Sequence, residues 1–413
     1  MTESANFVSL SHAVAPAPSF AQRFLSRRLE GLQGGVLELE HRGRVEVFGR
    51  PAPDGLQARV TVIDSDMFMR VLLGGSLAAG ETFMDGAWVA DDLTKVLQLF
   101  ARNRGLTERF ELGASRVGQL LARIHHATRK NTRDGSRRNI AEHYDLGNDF
   151  FELMLDSTMT YSSGVFEHPG TSLESASRRK LDMLCQKLAL NADDHLLEIG
   201  TGWGSMAIHA ATRYGCRVTT TTISKEQREL AEERVRELGL TDRITILDRD
   251  YRDLGGNFDK IVSCEMIEAV GREFYGSFFA KCSSLLKPGG RLALQAITIR
   301  DQSFERAASE ADFIKRYIFP GSCIPSATAL INASTESSDL VLRGYEDITP
   351  HYARTLAEWR KNLLPHRAEV VARYGERFLR MWLYYLAYCE AGFREKHIGT
   401  AQLWFDNGTP NQA

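Results

Sequence analysis

The segment HLLEIGTGWG, residues 195–204, constrains this chain more than any other. A run of strand length, His195 to Ile199, passes straight into Gly200, Gly202 and Gly204. Those glycines open a helix-spaced stretch, SMAIHAATRYG, that stops at Gly215. A short apolar run without alternation marks a strand buried on both faces, as in a parallel sheet. The pattern then repeats. RVTTTTI (217–223), RITIL (243–247), KIVSCE (260–265) and RLALQAI (291–297) read as strands. KEQRELAEERVRELG and EFYGSFFAKCSSLL read as helices, the second closed by a turn at Lys287-Pro288-Gly289-Gly290. Strand and helix in alternation predict an α/β fold, a Rossmann-like sheet flanked by helices.

A glycine turn between strand and helix lets a ligand approach the backbone where a Cβ would block it. A dinucleotide site wants GxGxxG and an acid about 20 residues on, at the end of the second strand. Here the spacing is GxGxG, and the second strand ends in Thr219 to Thr222 with no acid. S-adenosylmethionine (SAM) has no phosphate, and Glu198, the acid just before the first glycine, suits it. SAM is therefore the first reading and a nicotinamide dinucleotide the weaker one.

The formal charge of −2 excludes a nucleic-acid-binding polycation. No apolar run approaches the roughly 20 residues that span a bilayer. Pro16 and Pro18, ahead of the first basic residue Arg23, leave no compact signal-peptide core. The expected location is the cytoplasm, with any membrane contact peripheral at the inner face. Six cysteines, at 185, 216, 264, 282, 323 and 389, form no CxxC, so no metal site is predicted. Residues 1–20 read as a disordered leader and 21–124 as a small α+β domain. That domain has a hairpin over 35–48, a strand over 58–63 and a helix capped by Asp91 or Asp92. Residues 125–138, HHATRKNTRDGSRR, set Arg129, Lys130, Arg133, Arg137 and Arg138 against Asp134 and read as an exposed basic linker. Residues 139–413 form the α/β domain, within which 300–350 shows no clean period.

Ten further segments lie in order along that domain. They are HYDLGNDFFELMLD (143–156), MTYSSGVF (159–166), LEIGTGWG (197–204), TTISKEQ (221–227), DYRDL (250–254), EMIEAVG (265–271), KPGG (287–290), KRYIFPGS (315–322), HYARTLAEW (351–359) and YLAYCEAGFR (385–394). From about Asn139 to Phe405 the chain resembles the cyclopropane-fatty-acyl-phospholipid synthase family, which includes the mycolic acid cyclopropane synthases and methyltransferases. The N-terminal domain resembles that of the longer bacterial members. The resemblance implies a class I SAM methyltransferase sheet and methyl transfer to the double bond of an unsaturated acyl chain in a membrane phospholipid.

The resemblance also implies roles. Tyr161 and Ser162 match positions near the amino-acid part of SAM, and Gly200 and Gly202 match the close-approach glycines. Thr222 and Gln227 match the ribose side, and Asp250 and Tyr251 the adenine side. Glu268 and Tyr352 match side chains that hold a bicarbonate ion, with the carbonyl of Ile297 as a third contact and Cys389 nearby. Two positions depart from the family: Gln295 stands where many members have His, and Ser163 where many have Cys. Gln295 can donate to an anion but cannot titrate, and Ser163 keeps its backbone N–H. Methyl transfer leaves a cation that aromatic faces stabilise. Tyr144, Phe150, Phe151, Tyr161, Phe313, Tyr317, Trp382, Tyr384, Tyr385 and Tyr388 are the candidates, and core packing is the competing account of most of them. The expected product is a cyclopropane fatty acid, with a methylene, methyl-branched or furan-precursor chain as the alternative. A lipid-binding protein with a degenerate methyltransferase domain and a dehydrogenase are the competing classes. The basic linker is read as meeting anionic headgroups, and the N-terminal domain as positioning the protein on the membrane or joining a homodimer.

Overall fold

The structure is a computed structural model that describes residues 17–106, 147–310 and 312–408. The basic linker, most of the leader, Tyr144 and the start of the HYDLG segment lie outside the described residues.

The larger of two sheets has seven strands: β5 (His195–Ile199), β6 (Arg217–Thr222), β7 (Ile244–Asp248), β8 (Phe258–Cys264), β9 (Leu286–Ile299), β10 (Leu340–Asp347) and β11 (Ile398–Asn407). Their spatial order is β10-β11-β9-β8-β5-β6-β7. The five strands from β9 to β7 are parallel, and β11 and β10 extend the sheet antiparallel. The predicted α/β sheet is thus present, with an antiparallel edge that the featureless stretch 300–350 did not disclose. β5 lies between β6 and β8, so the chain reverses its direction of travel across the sheet at β5. Ligands of such sheets bind beyond the carboxyl ends of the strands at that switch point.

The turn expected at Lys287-Pro288-Gly289-Gly290 is a bulge inside β9 instead. The register with β8 jumps from Phe258↔Leu286 to Lys260↔Arg291, and Gly289 takes φ 75°. Parallel pairing on both sides of the excursion holds it in the sheet.

The smaller sheet comprises β1 (Gly35–His41), β2 (Arg44–Arg50), β3 (Gln57–Val62) and β4 (Trp88–Ala90), in the order β2-β1-β3-β4. The predicted hairpin joins β1 and β2 through Arg42 and Gly43, both with positive φ (52° and 73°). Two positive φ values match the right-handed twist of the strands. Of the two candidate caps, Asp92 caps the helix Leu93–Arg102 by accepting from the Lys95 N–H at 3.2 Å. Asp91 accepts instead from the Arg59 N–H in β3 at 2.9 Å. A first helix, Phe20–Leu29, starts inside the segment read as leader, with the Ser19 hydroxyl as its cap.

The smaller sheet shares its core with helices of the larger domain, while the seven-stranded sheet packs in clusters of its own. Leu37, Trp88 and Leu99 belong to one continuous apolar cluster with Phe150, Trp359 and Trp382. The junction is the helix Glu376–Arg394. Glu390, 1% exposed on that helix, accepts from Thr94 Oγ1 at 3.1 Å, Arg360 Nη2 at 2.8 Å and Arg394 Nε at 2.9 Å. Glu395 accepts from Gln98 Nε2 at 3.0 Å and Arg102 Nε at 2.8 Å. A carboxylate so deeply buried is tolerated only because its donors surround it. Glu390→Ala should lower unfolding stability by about 2 kcal/mol, less than for a fully buried pair because both arginines keep access to water. Urea denaturation of the variant checks this.

Candidate active site

β5 delivers its C-terminal end to a cavity of about 580 Å³. Gly200, Gly202 and Gly204 all have positive φ (102°, 50° and 88°), which explains why three glycines stand there. They do different work. A Cβ on Gly204 would lie 3.3 Å from that of Ala231, and one on Gly200 would lie 3.3 Å from Met266, so these two serve packing. A Cβ on Gly202 would meet nothing within 4 Å. Gly202 lines the cavity, so its face is the one kept open for a ligand. The Gly200 and Thr201 N–H groups both donate to Thr221 O at 3.1 Å, fixing the turn against β6.

The sequence-predicted cofactor residues converge here. Tyr161, Ser162, Glu198, Gly200, Gly202, Thr222, Gln227, Asp250 and Tyr251 all line the cavity. Thr222 Oγ1 donates to Gln227 Oε1 at 3.2 Å, while Asp250 accepts from Arg252 at 2.8 and 2.7 Å. The Tyr251 hydroxyl is buried without a hydrogen-bond partner among the described residues. Glu198 is 3% exposed and accepts from Thr220 Oγ1 at 2.7 Å. Burial pushes its carboxyl up to about 8, although Thr220 and Lys180 pull the other way.

The expected anion site differs from its sequence reading. Glu268, Tyr352, Ile297 and Cys389 line the cavity, whereas Ser163 and Gln295 are fully buried behind it. The donors expected around a free anion converge on Glu265. Its Oε1 accepts from the Ser163 N–H at 3.0 Å and from Gln295 Nε2 at 2.8 Å, and its Oε2 from the Tyr352 hydroxyl at 2.6 Å. Tyr352 therefore partners Glu265, not Glu268. Ile297 contributes its N–H, which donates to Glu268 Oε1 at 2.5 Å, where the sequence pointed to its carbonyl. Glu268 Oε2 is buried and has no hydrogen-bond partner among the described residues. Burial pushes both carboxyls up, and the neighbouring Glu265 raises Glu268 further, to about 8. Three donors favour the charge on Glu265, so Glu268 is the one that holds a proton near neutrality.

Sequence reasoning missed Glu265 and Lys180. Glu265 sits just past β8 with φ 50°, a conformation that turns the chain out of the strand. Lys180, 1% exposed on the helix Leu173–Leu188, donates to Ser162 Oγ at 2.7 Å and lines the same cavity. Of the aromatic candidates, Phe150, Phe151, Phe313, Trp382 and Tyr384 are core and do not line the cavity. Tyr317 is likewise outside it, donating to Glu81. Tyr161, Tyr385 and Tyr388 do line it, with Trp203, Phe319 and Phe393, which the sequence reading did not single out. The Tyr161 and Tyr385 hydroxyls lie 2.9 Å apart. Burial pushes the Cys389 thiol up, which leaves it a poor nucleophile.

The family model described as mycolic acid cyclopropane synthetase matches residues 131–403. This chain belongs to that family. Tuberculostearic acid methyltransferase UfaA1 of Mycobacterium tuberculosis is 39% identical over 348 residues, 79% of this chain and 78% of that protein. Cyclopropane-fatty-acyl-phospholipid synthase of Escherichia coli K12 is 36% identical over 380 residues, 91% of this chain and 93% of its own. The structure of the mycolic acid cyclopropane synthase CmaA1 complexed with SAH and CTAB superposes with a TM-score of 0.62 at 29% identity. It covers 65% of this chain and 98% of that one. The cyclopropane synthase MmaA2 of Mycobacterium tuberculosis matches equally, with a TM-score of 0.62 at 30% identity, 65% of this chain and 98% of its own. The chain is a SAM-dependent methyltransferase, and the open face at Gly202 beside Glu198 fits that cofactor.

Glu198 and Glu268 are neutral below about pH 8 and anionic above it. A sulfonium cation prefers the anionic forms, so SAM affinity should rise with pH through that range, with protons released on binding. Calorimetry with SAM at pH values from about 6.5 to about 9 checks this. S-adenosylhomocysteine, which lacks the sulfonium, should show a shallower dependence.

Proposed function

We propose that this chain transfers the methyl group of SAM to the double bond of an unsaturated acyl chain in a membrane phospholipid, with Glu265 as the anion of the site in place of bicarbonate. The observation that carries the reading is the convergence of the Ser163 N–H, the Gln295 amide and the Tyr352 hydroxyl on the Glu265 carboxylate. SAM supplies an electrophilic methyl group. Its transfer leaves positive charge on the acyl chain. A fixed carboxylate facing that charge needs no reorganisation as the charge forms. The faces of Tyr161 and Tyr385 stabilise a desolvated cation by about 2 kcal/mol each.

The same geometry favours a methylene branch over a ring. Burial raises the proton affinity of Glu265, but three hydrogen bonds oppose that rise and engage its oxygens, so proton removal is slow. The secondary cation then has time to become tertiary, as hydrogen moves with its electron pair from the newly methylated carbon to its neighbour. Glu265 takes a proton from the transferred methyl, and the electron pair of that C–H bond becomes the new C=C. The products are a methylene-branched chain, demethylated cofactor and one proton, with no reductant consumed. The likeness to a tuberculostearic acid methyltransferase supports this reading. The likeness to a cyclopropane synthase keeps ring closure as the other outcome.

Methyl-¹³C-labelled SAM and vesicles of monounsaturated phospholipid test it. An olefinic ¹³C signal in the lipid is expected, a cyclopropane signal would return the product to the ring, and no label would overturn the reading. Glu265→Gly should reduce turnover by at least about tenfold, with SAM affinity nearly intact. Added bicarbonate should restore part of the loss, because the three donors then face an open position.

Among the described residues no helix is long and apolar enough to cross a membrane. Contact with the bilayer is assigned to the basic segment 125–138, at about 1 kcal/mol per Lys or Arg near an anionic surface. Changing Arg129, Lys130, Arg137 and Arg138 to Glu should weaken binding to anionic vesicles at low salt, read by co-sedimentation. Equal binding of both proteins would leave the segment a linker only.

A further inference from the structure

The cavity has a second end. From the carboxylates it continues past Phe319 and Cys389 and reaches the exposed residues Ser76, Asp312 and Tyr388. One wall of this arm comes from outside the matched family region. Leu97, Phe100, Ala101 and Arg104 all line it, and they recur at i, i+3, i+4 and i+7, a single face of the helix Leu93–Arg102 and its continuation. The family model begins its match only at residue 131, and the mycobacterial synthase structures cover 98% of their own length with 65% of this chain. This chain thus walls its cavity with a helix that the matched region lacks.

That helix is held rigidly. Its adjoining face carries Thr94, Gln98 and Arg102, which are bonded to Glu390 of the helix Glu376–Arg394 and to Glu395 at that helix's C-terminal cap. His397 Nε2 lies 2.8 Å from Ala101 O. Polar anchors on one face therefore fix the position of the apolar face beside Cys389 and Phe393. The face is apolar at Leu97, Phe100 and Ala101 and ends in Arg104, an order that suits a hydrocarbon chain leading to a polar end. A channel wall fixed at a set distance from the reacting carboxylates limits how much chain fits between them.

We infer that the helix Leu93–Arg102 is the acyl-chain wall of the active site, and that Phe100 and Ala101 set which acyl chain lengths are methylated. The inference rests on the acyl-lipid reading above. Specificity in an apolar channel is worth about tenfold or more per methylene. Filling the channel at Ala101 therefore turns the enzyme towards shorter chains, and emptying it at Phe100 turns it towards longer ones.

Competition between cis-7-hexadecenoyl and oleoyl phosphatidylglycerol in mixed vesicles, two chains that differ only between the double bond and the carboxyl carbon, reads the selectivity as the ratio of kcat/KM values. Wild type is measured first: no methyl transfer to either lipid, with SAM still bound, would overturn the acyl-lipid reading itself. With wild type active, Ala101→Phe should shift the ratio towards the hexadecenoyl chain by about tenfold, and Phe100→Ala should shift it the other way. SAM affinity should be unchanged in both, because neither residue lies near the glycine turn. Unchanged ratios in two folded, active variants would overturn the inference. So would an equal loss on both lipids in the two variants, which is the mark of a structural role. If Ala101→Phe does not fold, Phe100→Ala decides alone.

Discussion

Glu198 and Glu268 are buried and Glu265 half-buried around one cavity, with the buried ammonium of Lys180 in the same lining. The cost of keeping these carboxyls from water governs the site. Removing a carboxylate from water is expensive unless donors replace the water, and each glutamate meets that demand differently. Glu198 takes one hydroxyl from the neighbouring strand. Glu265 takes three donors from three distant segments. Glu268 takes one backbone N–H and leaves its second oxygen unsatisfied. A cationic ligand favours the ionised forms of Glu198 and Glu268, so the site is suited to positive charge, first on the cofactor and then on the acyl chain. Lys180 bonds to Ser162 and Cys264, holding the Tyr161-Ser162-Ser163 segment against the end of β8.

Much of the fold was legible because it is local. The apolar run at β5, the glycine turn and the alternation of strand and helix each occupy a few consecutive residues, and the cofactor residues lie at the ends of those strands. The anion site was legible only in part, because its partners are remote. Tyr352 and Glu265 are 87 positions apart, and Ser163 and Glu265 are 102 apart. Within EMIEAVG the eye settles on one glutamate of two, and only the left-handed backbone at Glu265 brings its carboxylate to the donors. Lys180 was invisible for a related reason. On a helix containing Arg178, Arg179 and Lys187 it reads as one more solvated cation, and burial is decided by what packs over it. The aromatic residues show the converse, since composition supplies rings in plenty and only packing tells a lining ring from a core one.

The smaller sheet depends on the larger one more than the sequence implies. Its helix Leu93–Arg102 shares buried ionic contacts and a common apolar cluster with the helix Glu376–Arg394. An interface of this kind does not behave as a loose tether between independently moving bodies. Burial of Glu390 makes the fit specific, because a shifted helix would leave its charge without donors.

The placement of β11 has a consequence for how the protein is made. This strand, over residues 398–407, lies between β9 and β10, both of which precede it in the chain. During synthesis β10 emerges with no partner in the sheet, and the edge of β9 stays open until about sixty further residues have followed. Nine consecutive pairings of β11 with β9 then form together. Sheet closure is therefore a late, nonlocal event, and the nascent chain carries an unpaired strand edge throughout the wait. The residues between β10 and β11 include the whole helix Glu376–Arg394, so the active-site wall it supplies and the sheet are completed together.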